Sequence, residues 1–232
     1  MQKQSRVFLS WLHQWTEGLP SLRLEEIADP PARVALVSED LVKGFCDLGP
    51  LASERSASVV PAVVDLFERA YDLGVRHFLL LQDTHEPDAV EFSAYPAHCV
   101  AGSEESETID ELKDLPFSDL FTIFPKDSIS SSLGTELEAW LEDHSEVTAF
   151  IVVGVCTDIC VYQSALYLRV RANVQGRREV RVVVPANCVE TYDMPVDAAK
   201  EIGALPHDGD LLHRVFLYSL ALNGVEVVRS LG

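Results

Sequence analysis

The stretch Phe150–Val161, FIVVGVCTDICV, sets an unbroken apolar run, Phe150 to Val153, directly before Gly154, a turn and the start of a helical pattern. Alternate side chains of a strand point to opposite faces of a sheet, so a run that is apolar at every position suits a strand covered on both faces. Strand, turn and helix in this order are half of a βαβ unit, which predicts a parallel sheet between layers of helix. Cys156 and Cys160, spaced four apart across the turn, lend themselves to metal ligation, a redox couple or nucleophilic chemistry.

The same rhythm runs outward from this stretch. Apolar runs at Arg33–Ser38, Val75–Leu81, Leu120–Phe124, Thr148–Val153, Val180–Val184 and Val225–Val228 read as strands. Between the first two, Val60, Val63, Val64, Phe67 and Tyr71 recur at helical spacing and Gly74 marks the stop. Similar patterns over residues 133–141, 159–170 and 211–222 complete a three-layer αβα fold, a mostly parallel sheet of about six strands in a single domain over 34–232. Residues 1–33, with Phe8, Leu9, Trp11 and Leu12, read as an added amphipathic helix and linker on the domain's edge.

Of the chain's 232 residues 47% are hydrophobic, enough for a sizeable core, and the formal net charge is -19. That excess of carboxylates repels phosphate backbones and anionic membranes, so nucleic acid and membrane are excluded as partners. No apolar stretch approaches the roughly 20 residues of a membrane span, and the first residues lack the pattern of a secretory signal. The five cysteines cannot all pair, which fits free thiols in a reducing, cytoplasmic setting. The composition leaves open whether copies of the chain associate.

The connection from Gln82 to Asp119 is too long for a plain link, and it carries Asp83, His85, Tyr95, Pro96 and His98. A carboxylate and two imidazoles, Asp83, His85 and His98, make a three-ligand set for Zn or a similar divalent metal, with positions left open for water or substrate. Turn capping by Asp83 and surface exposure of the histidines is the competing explanation; Glu91 on the same loop is a further candidate ligand. Helix placement puts Cys160 in a first helical turn, where unpaired N–H groups and the dipole favour a thiolate. A small buried residue is the alternative for that cysteine. Asp40 after the first strand and Lys126 after the third reach the same sheet edge, as a base for the thiol and a cation beside it.

In order along the chain, DLVKGFC (41 to 46 preceded by Asp40), DTHEPDAVEFSAYPAHC (83 to 99), FPKDS (124 to 128), GVCTDICV (154 to 161) and CVETYDMP (188 to 195) resemble the isochorismatase-like cysteine hydrolases, and among them the plant-type nicotinamidases. The resemblance covers about Val34 to the C-terminus. It implies the isochorismatase-like hydrolase fold, catalytic residues Asp40, Lys126 and Cys160, and an oxyanion hole of the Cys156 and Cys160 amides, with a cis peptide before Cys156. It further implies one divalent metal, zinc, on Asp83, His85 and His98, with Glu91 as an added ligand in some members, and a substrate pocket walled by Phe45 and Tyr95. The activity implied is hydrolysis of nicotinamide in NAD salvage. Val42 and Gly44 depart from the polar residues that many members carry there. Rival readings are a different amide or ureido hydrolase of the superfamily, a binding protein without turnover, and a redox or structural zinc module on Cys156 and Cys160.

Overall fold

In the computed structural model, which describes residues 3–232, the strand Val34–Glu39 (β1) is buried at every position. It lies between His77–Asp83 (β2) and Ala149–Val155 (β4), parallel to both. Phe121–Lys126 (β3) extends the sheet beyond β2, while Arg181–Pro185 (β5) and Glu226–Val228 (β7) extend it beyond β4. The order is β3-β2-β1-β4-β5-β7 with every pairing parallel. This is the doubly covered sheet that the apolar runs predict.

A seventh strand, Val189–Glu190 (β6), pairs with the end of β4 at Gly154 and Val155, where β5 has already diverged. Its two residues are too few to carry any periodicity, which is why the sequence pattern stops at six. The other strands differ from their expected limits by a residue or two. The expected helix at 133–141 is shorter and later, Leu137–Asp143, because the serine-rich segment before it forms turns.

Two apolar layers flank the sheet, split by strand alternation. Leu36, Phe78, Leu80, Ile151 and Val153 face the helix Val60–Asp72, whose Val63, Leu66, Phe67 and Ala70 are buried against them. That helix stops at Gly74, which takes φ +100 and so relieves the steric cost another residue would meet there. From the opposite face Val37, Leu79, Leu81, Phe150 and Val152 meet Leu137–Asp143, Cys160–Val174 and Gly209–Leu222. The helix Lys3–Glu17 lies outside this layer, with Phe8, Trp11 and Trp15 packed around Tyr218 at ring distances of 5.5, 5.5 and 5.8 Å. Among the described residues no helix is long and apolar enough to cross a membrane.

The long connection after β2 is ordered. Short helical turns at Val90–Ser93, Glu104–Ser106 and Asp110–Lys113 punctuate it, and Ile109 and Leu112 reach the core. The link His85↔Val100 folds its first half into a closed loop over the sheet edge.

Candidate active site

The strand order reverses at β1: from there the chain builds outward to β2 and β3, then crosses back to β4 on the other side. In such sheets a crevice opens at the carboxyl ends of the two strands where the reversal occurs, here β1 and β4. Asp40 follows β1 directly, and the turn that carries both cysteines follows β4. Asp83 and Lys126 end β2 and β3 in register with each other. Residues far apart in the chain thus meet because parallel strands all end on one edge.

Asp40 takes φ 50, a left-handed conformation that Asp tolerates better than most residues. This bend carries its carboxylate back over the sheet edge, where Oδ1 accepts the amide of Asp83 at 2.8 Å. Lys126 is wholly buried and its ammonium stands 2.9 Å from Asp40 Oδ2, in contact with Asp83 Oδ1, and 3.7 Å from Cys160 Sγ. Carboxylate oxygens of Asp40 and Asp83 and the Cys160 sulfur lie within 4.8 Å of one another. Cys160 is the first residue of its helix, so its amide has no partner within the helix.

The electrostatics follow from burial and from this single cation. Burial raises the Asp40 carboxyl to about 6, helped by the Asp83 charge and opposed by Lys126. Asp83 is also penalised by burial, but Lys126 and the two histidines hold its carboxyl well below the usual range. Burial alone would depress the Lys126 ammonium; the carboxylates beside it outweigh that and keep it charged. The Cys160 thiol is pushed up by burial, with Lys126 opposing, so at rest it keeps its proton next to a carboxylate that can accept it.

Asp83 Oδ2 faces a second group: His85 Nε2 and His98 Nε2 each lie 3.5 Å from it. The far nitrogens of both rings are engaged, His85 Nδ1 with Asp127 Oδ1 at 3.0 Å and His98 Nδ1 with the Pro96 carbonyl at 2.8 Å. Such outer contacts orient imidazoles whose inner nitrogens bind a metal. His85 Nε2 is buried without a hydrogen-bond partner. An orphaned buried nitrogen, a second imidazole and a carboxylate oxygen all within 4.8 Å fit a divalent cation with N and O ligands. Glu91 lines the same cleft, but its Oε2 accepts the Ile129 amide at 3.2 Å and stands outside that three-atom group.

About 310 Å³ of space, open solvent at the mouth included, lies within the cleft. Phe45 and Tyr95 form walls, both with rings edge-on to His98 at 5.6 and 6.2 Å, and Leu51, Ile129, Val155 and Ile159 add apolar lining. Cys156 also lines it, and the Val155–Cys156 peptide is cis. The five cysteines are free and buried.

Sequence reasoning missed four contributors. Asp127, which orients His85, sits beside Lys126 in FPKDS, where a second carboxylate at a strand end was the available signal. Leu51 and Ile129 reach the cleft from loops with no periodic pattern. Glu39, wholly buried next to Asp40, accepts Ser131 Oγ at 3.0 and 3.1 Å, and Ser164 Oγ in turn donates to Ser131.

Residues 34–204 match the family model described as the Isochorismatase domain. Nicotinamidase 1 of Arabidopsis thaliana is 32% identical over 222 residues, which span 88% of this chain and 89% of that protein. Among solved structures, a cysteine hydrolase from Pseudomonas syringae pv. phaseolicola aligns with a TM-score of 0.68 at 24% identity, over 85% of this chain and 88% of that one. The pyrazinamidase of Pyrococcus horikoshii, solved in complex with zinc, aligns at 0.65 and 20% identity over 85% and 99%. Both structures share the three-layer fold described above.

Proposed function

The chain belongs to the isochorismatase family of hydrolases, and we propose that within it the protein is a nicotinamidase, releasing ammonia and nicotinate from nicotinamide in cytoplasmic NAD salvage. The observation that carries this reading is the placement of Lys126 Nζ between Asp40 at 2.9 Å and Cys160 Sγ at 3.7 Å, beside the cleft that Asp40 and Cys160 line. A binding module needs no buried thiol, carboxylate and ammonium in mutual contact; a hydrolase working through a covalent intermediate does.

On this reading Asp40 takes the Cys160 thiol proton as the sulfur attacks the carboxamide carbon, and the Lys126 charge stabilises the ionised pair. A carboxyl near 6 suits that role: mostly ionised at neutral pH, yet basic enough to accept a proton. The tetrahedral oxyanion is received by the amides of Cys156 and Cys160, a contribution commonly worth about 3 kcal/mol per donor. Asp40 then protonates the departing nitrogen, ammonia leaves, and a thioester on Cys160 remains. Water hydrolyses the thioester with Asp40 again as base, which restores the thiol and yields the carboxylic acid.

Asp83, His85 and His98 would hold the metal, zinc by the type of ligand. Bound there, it supplies a Lewis-acidic contact for the ring nitrogen of the substrate. Phe45 and Tyr95 clamp the ring from the sides, so the carboxamide is presented to Cys160 rather than left free to rotate.

Ammonia release from nicotinamide by the zinc-loaded protein, alongside Cys160→Ala, tests the assignment. We expect turnover in the wild type and none in the variant, with zinc content unchanged. Turnover that persists without the thiol would end the nucleophile assignment. Absence of turnover in the zinc-loaded wild type would transfer the reading to a different amide or ureido substrate.

A further inference from the structure

Thr157 and Asp158, which lie between the two cysteines of the nucleophile turn, are each held by a histidine from the C-terminal part of the chain. Thr157 Oγ1 meets His213 Nδ1 at 2.9 Å, and Asp158 Oδ2 meets His207 Nε2 at 2.8 Å. The second oxygen of Asp158 accepts the Thr191 hydroxyl at 2.6 Å. His207 Nδ1 lies 2.9 Å from the Tyr192 carbonyl, and its ring stacks on that of Tyr192 at 3.9 Å.

A carbonyl oxygen only accepts, so His207 Nδ1 donates to Tyr192 and Nε2 is the nitrogen left to meet Asp158. Both contacts are made away from water, since His207 is only 8% exposed. The segment that bears His207 is closed on itself, since Met194 and His207 exchange both backbone hydrogen bonds at 2.8 Å. It spans the helix Val196–Ile202 and is tied down at its base by Arg55, which donates to the Thr191 carbonyl at 2.9 Å and pairs with Glu190 and Asp210.

We propose that His207 is a positioning residue for the nucleophile turn: it draws Asp158 against Thr191 and so fixes the Cys156–Cys160 backbone relative to the cleft. The closed segment 191–208 acts as its frame. This inference rests on the reading of Cys160 as the nucleophile. The turn presents groups that act on the reacting carbon rather than on the ring, so its misplacement lowers kcat with little effect on KM.

The test uses the zinc-loaded full chain as His207→Ala, His207→Gln and Thr191→Val, with kcat, KM, thermal midpoint and the rate of iodoacetamide alkylation at Cys160. Gln keeps one donor toward Asp158; Ala keeps none. We expect His207→Ala to lose about tenfold or more in kcat, as misplacement of a reacting group does, with KM within about twofold. His207→Gln should recover most of that loss, and alkylation should shift at least about threefold in Ala but not in Gln. An unchanged kcat in folded His207→Ala, whatever its melting temperature, or a Gln variant no better than Ala, would overturn the proposal. If His207→Ala does not fold, Thr191→Val carries the same expectation in reduced form, and wild-type kcat there would overturn it equally. Should the wild type not turn over nicotinamide, the functional reading fails by itself; alkylation still decides the positioning role, and equal rates in all variants reject it.

Discussion

Lys126 Nζ lies 3.7 Å from Cys160 Sγ while it also serves the carboxylates of Asp40 and Asp83, and its side chain is entirely withdrawn from solvent. One buried cation thus answers for two buried anions and for whatever charge develops on the sulfur. Such an arrangement is held by mutual compensation, so removal of the centre costs more than the pairs themselves are worth.

Lys126→Met keeps the stem and deletes the charge. We expect a loss of about 3–5 kcal/mol in stability, the usual cost of stranding a buried partner, together with loss of ammonia release. Urea unfolding of the variant at neutral pH checks the first part, and a midpoint equal to wild type would contradict it.

Asp127 contacts no substrate on the proposed reading, yet it holds His85 Nδ1 at 3.0 Å. Asp127→Ala should weaken zinc binding by about 10–100-fold, the range found for outer partners of metal-bound imidazoles. His98→Ala should weaken it further. Competition with a chromogenic chelator measures both, and equal zinc affinity in Asp127→Ala and wild type would rule out this role.

Glu39 offers a pH signature outside the metal group. Burial, with the Asp40 charge, raises its carboxyl from 4.5 to about 8. Below pH 4.5 it is protonated in both folded and unfolded chains; between 4.5 and about 8 the unfolded chain sheds the proton that the folded one retains. The unfolded state therefore binds fewer protons, and this residue's contribution makes stability fall as pH rises through that window, by an amount on the order of a few kcal/mol. Glu39→Gln removes the titrating proton, so the stability difference between Gln and wild type should grow in favour of Gln from pH 5 to pH 8. A difference that stays constant across that range would show that Glu39 does not retain its proton.

Gly154 pairs with Glu39 across the β1–β4 ladder at φ +110, and a Cβ built there would fall 2.0 Å from the Glu39 carbonyl oxygen. Both partners of that clash are backbone of central strands. Gly154→Ala should therefore destabilise by more than about 3 kcal/mol and distort the edge that carries Asp40. A well-folded Gly154→Ala with wild-type melting would refute the account.

The fold was readable in the sequence because its strands are buried on both faces. FIVV and VALV are apolar at each position, and that condition depends on local composition alone. Asp40, Asp83, His85, Lys126 and Cys160 stood out for a similar reason: each follows or lies near a strand end, and parallel strands deliver such residues to one edge, while His98 stood out as an imidazole in the loop after β2. The register that puts Asp83 opposite Lys126, and the bend that turns Asp40 inward, add distances to a set already visible.

What only the tertiary structure decided are contacts across long separations with no local pattern. Glu39 looked like an ordinary neighbour of Asp40 until Ser131, 92 residues away, was found on its carboxylate. His207 sits in an unremarkable loop sequence and reaches Asp158 over 49 residues. The two-residue strand Val189–Glu190 exists only because β5 leaves an open edge at the end of β4. Periodicity records which side of an element is buried; it carries no information about which distant polar group completes a buried donor or acceptor, since that depends on how the packed layers meet.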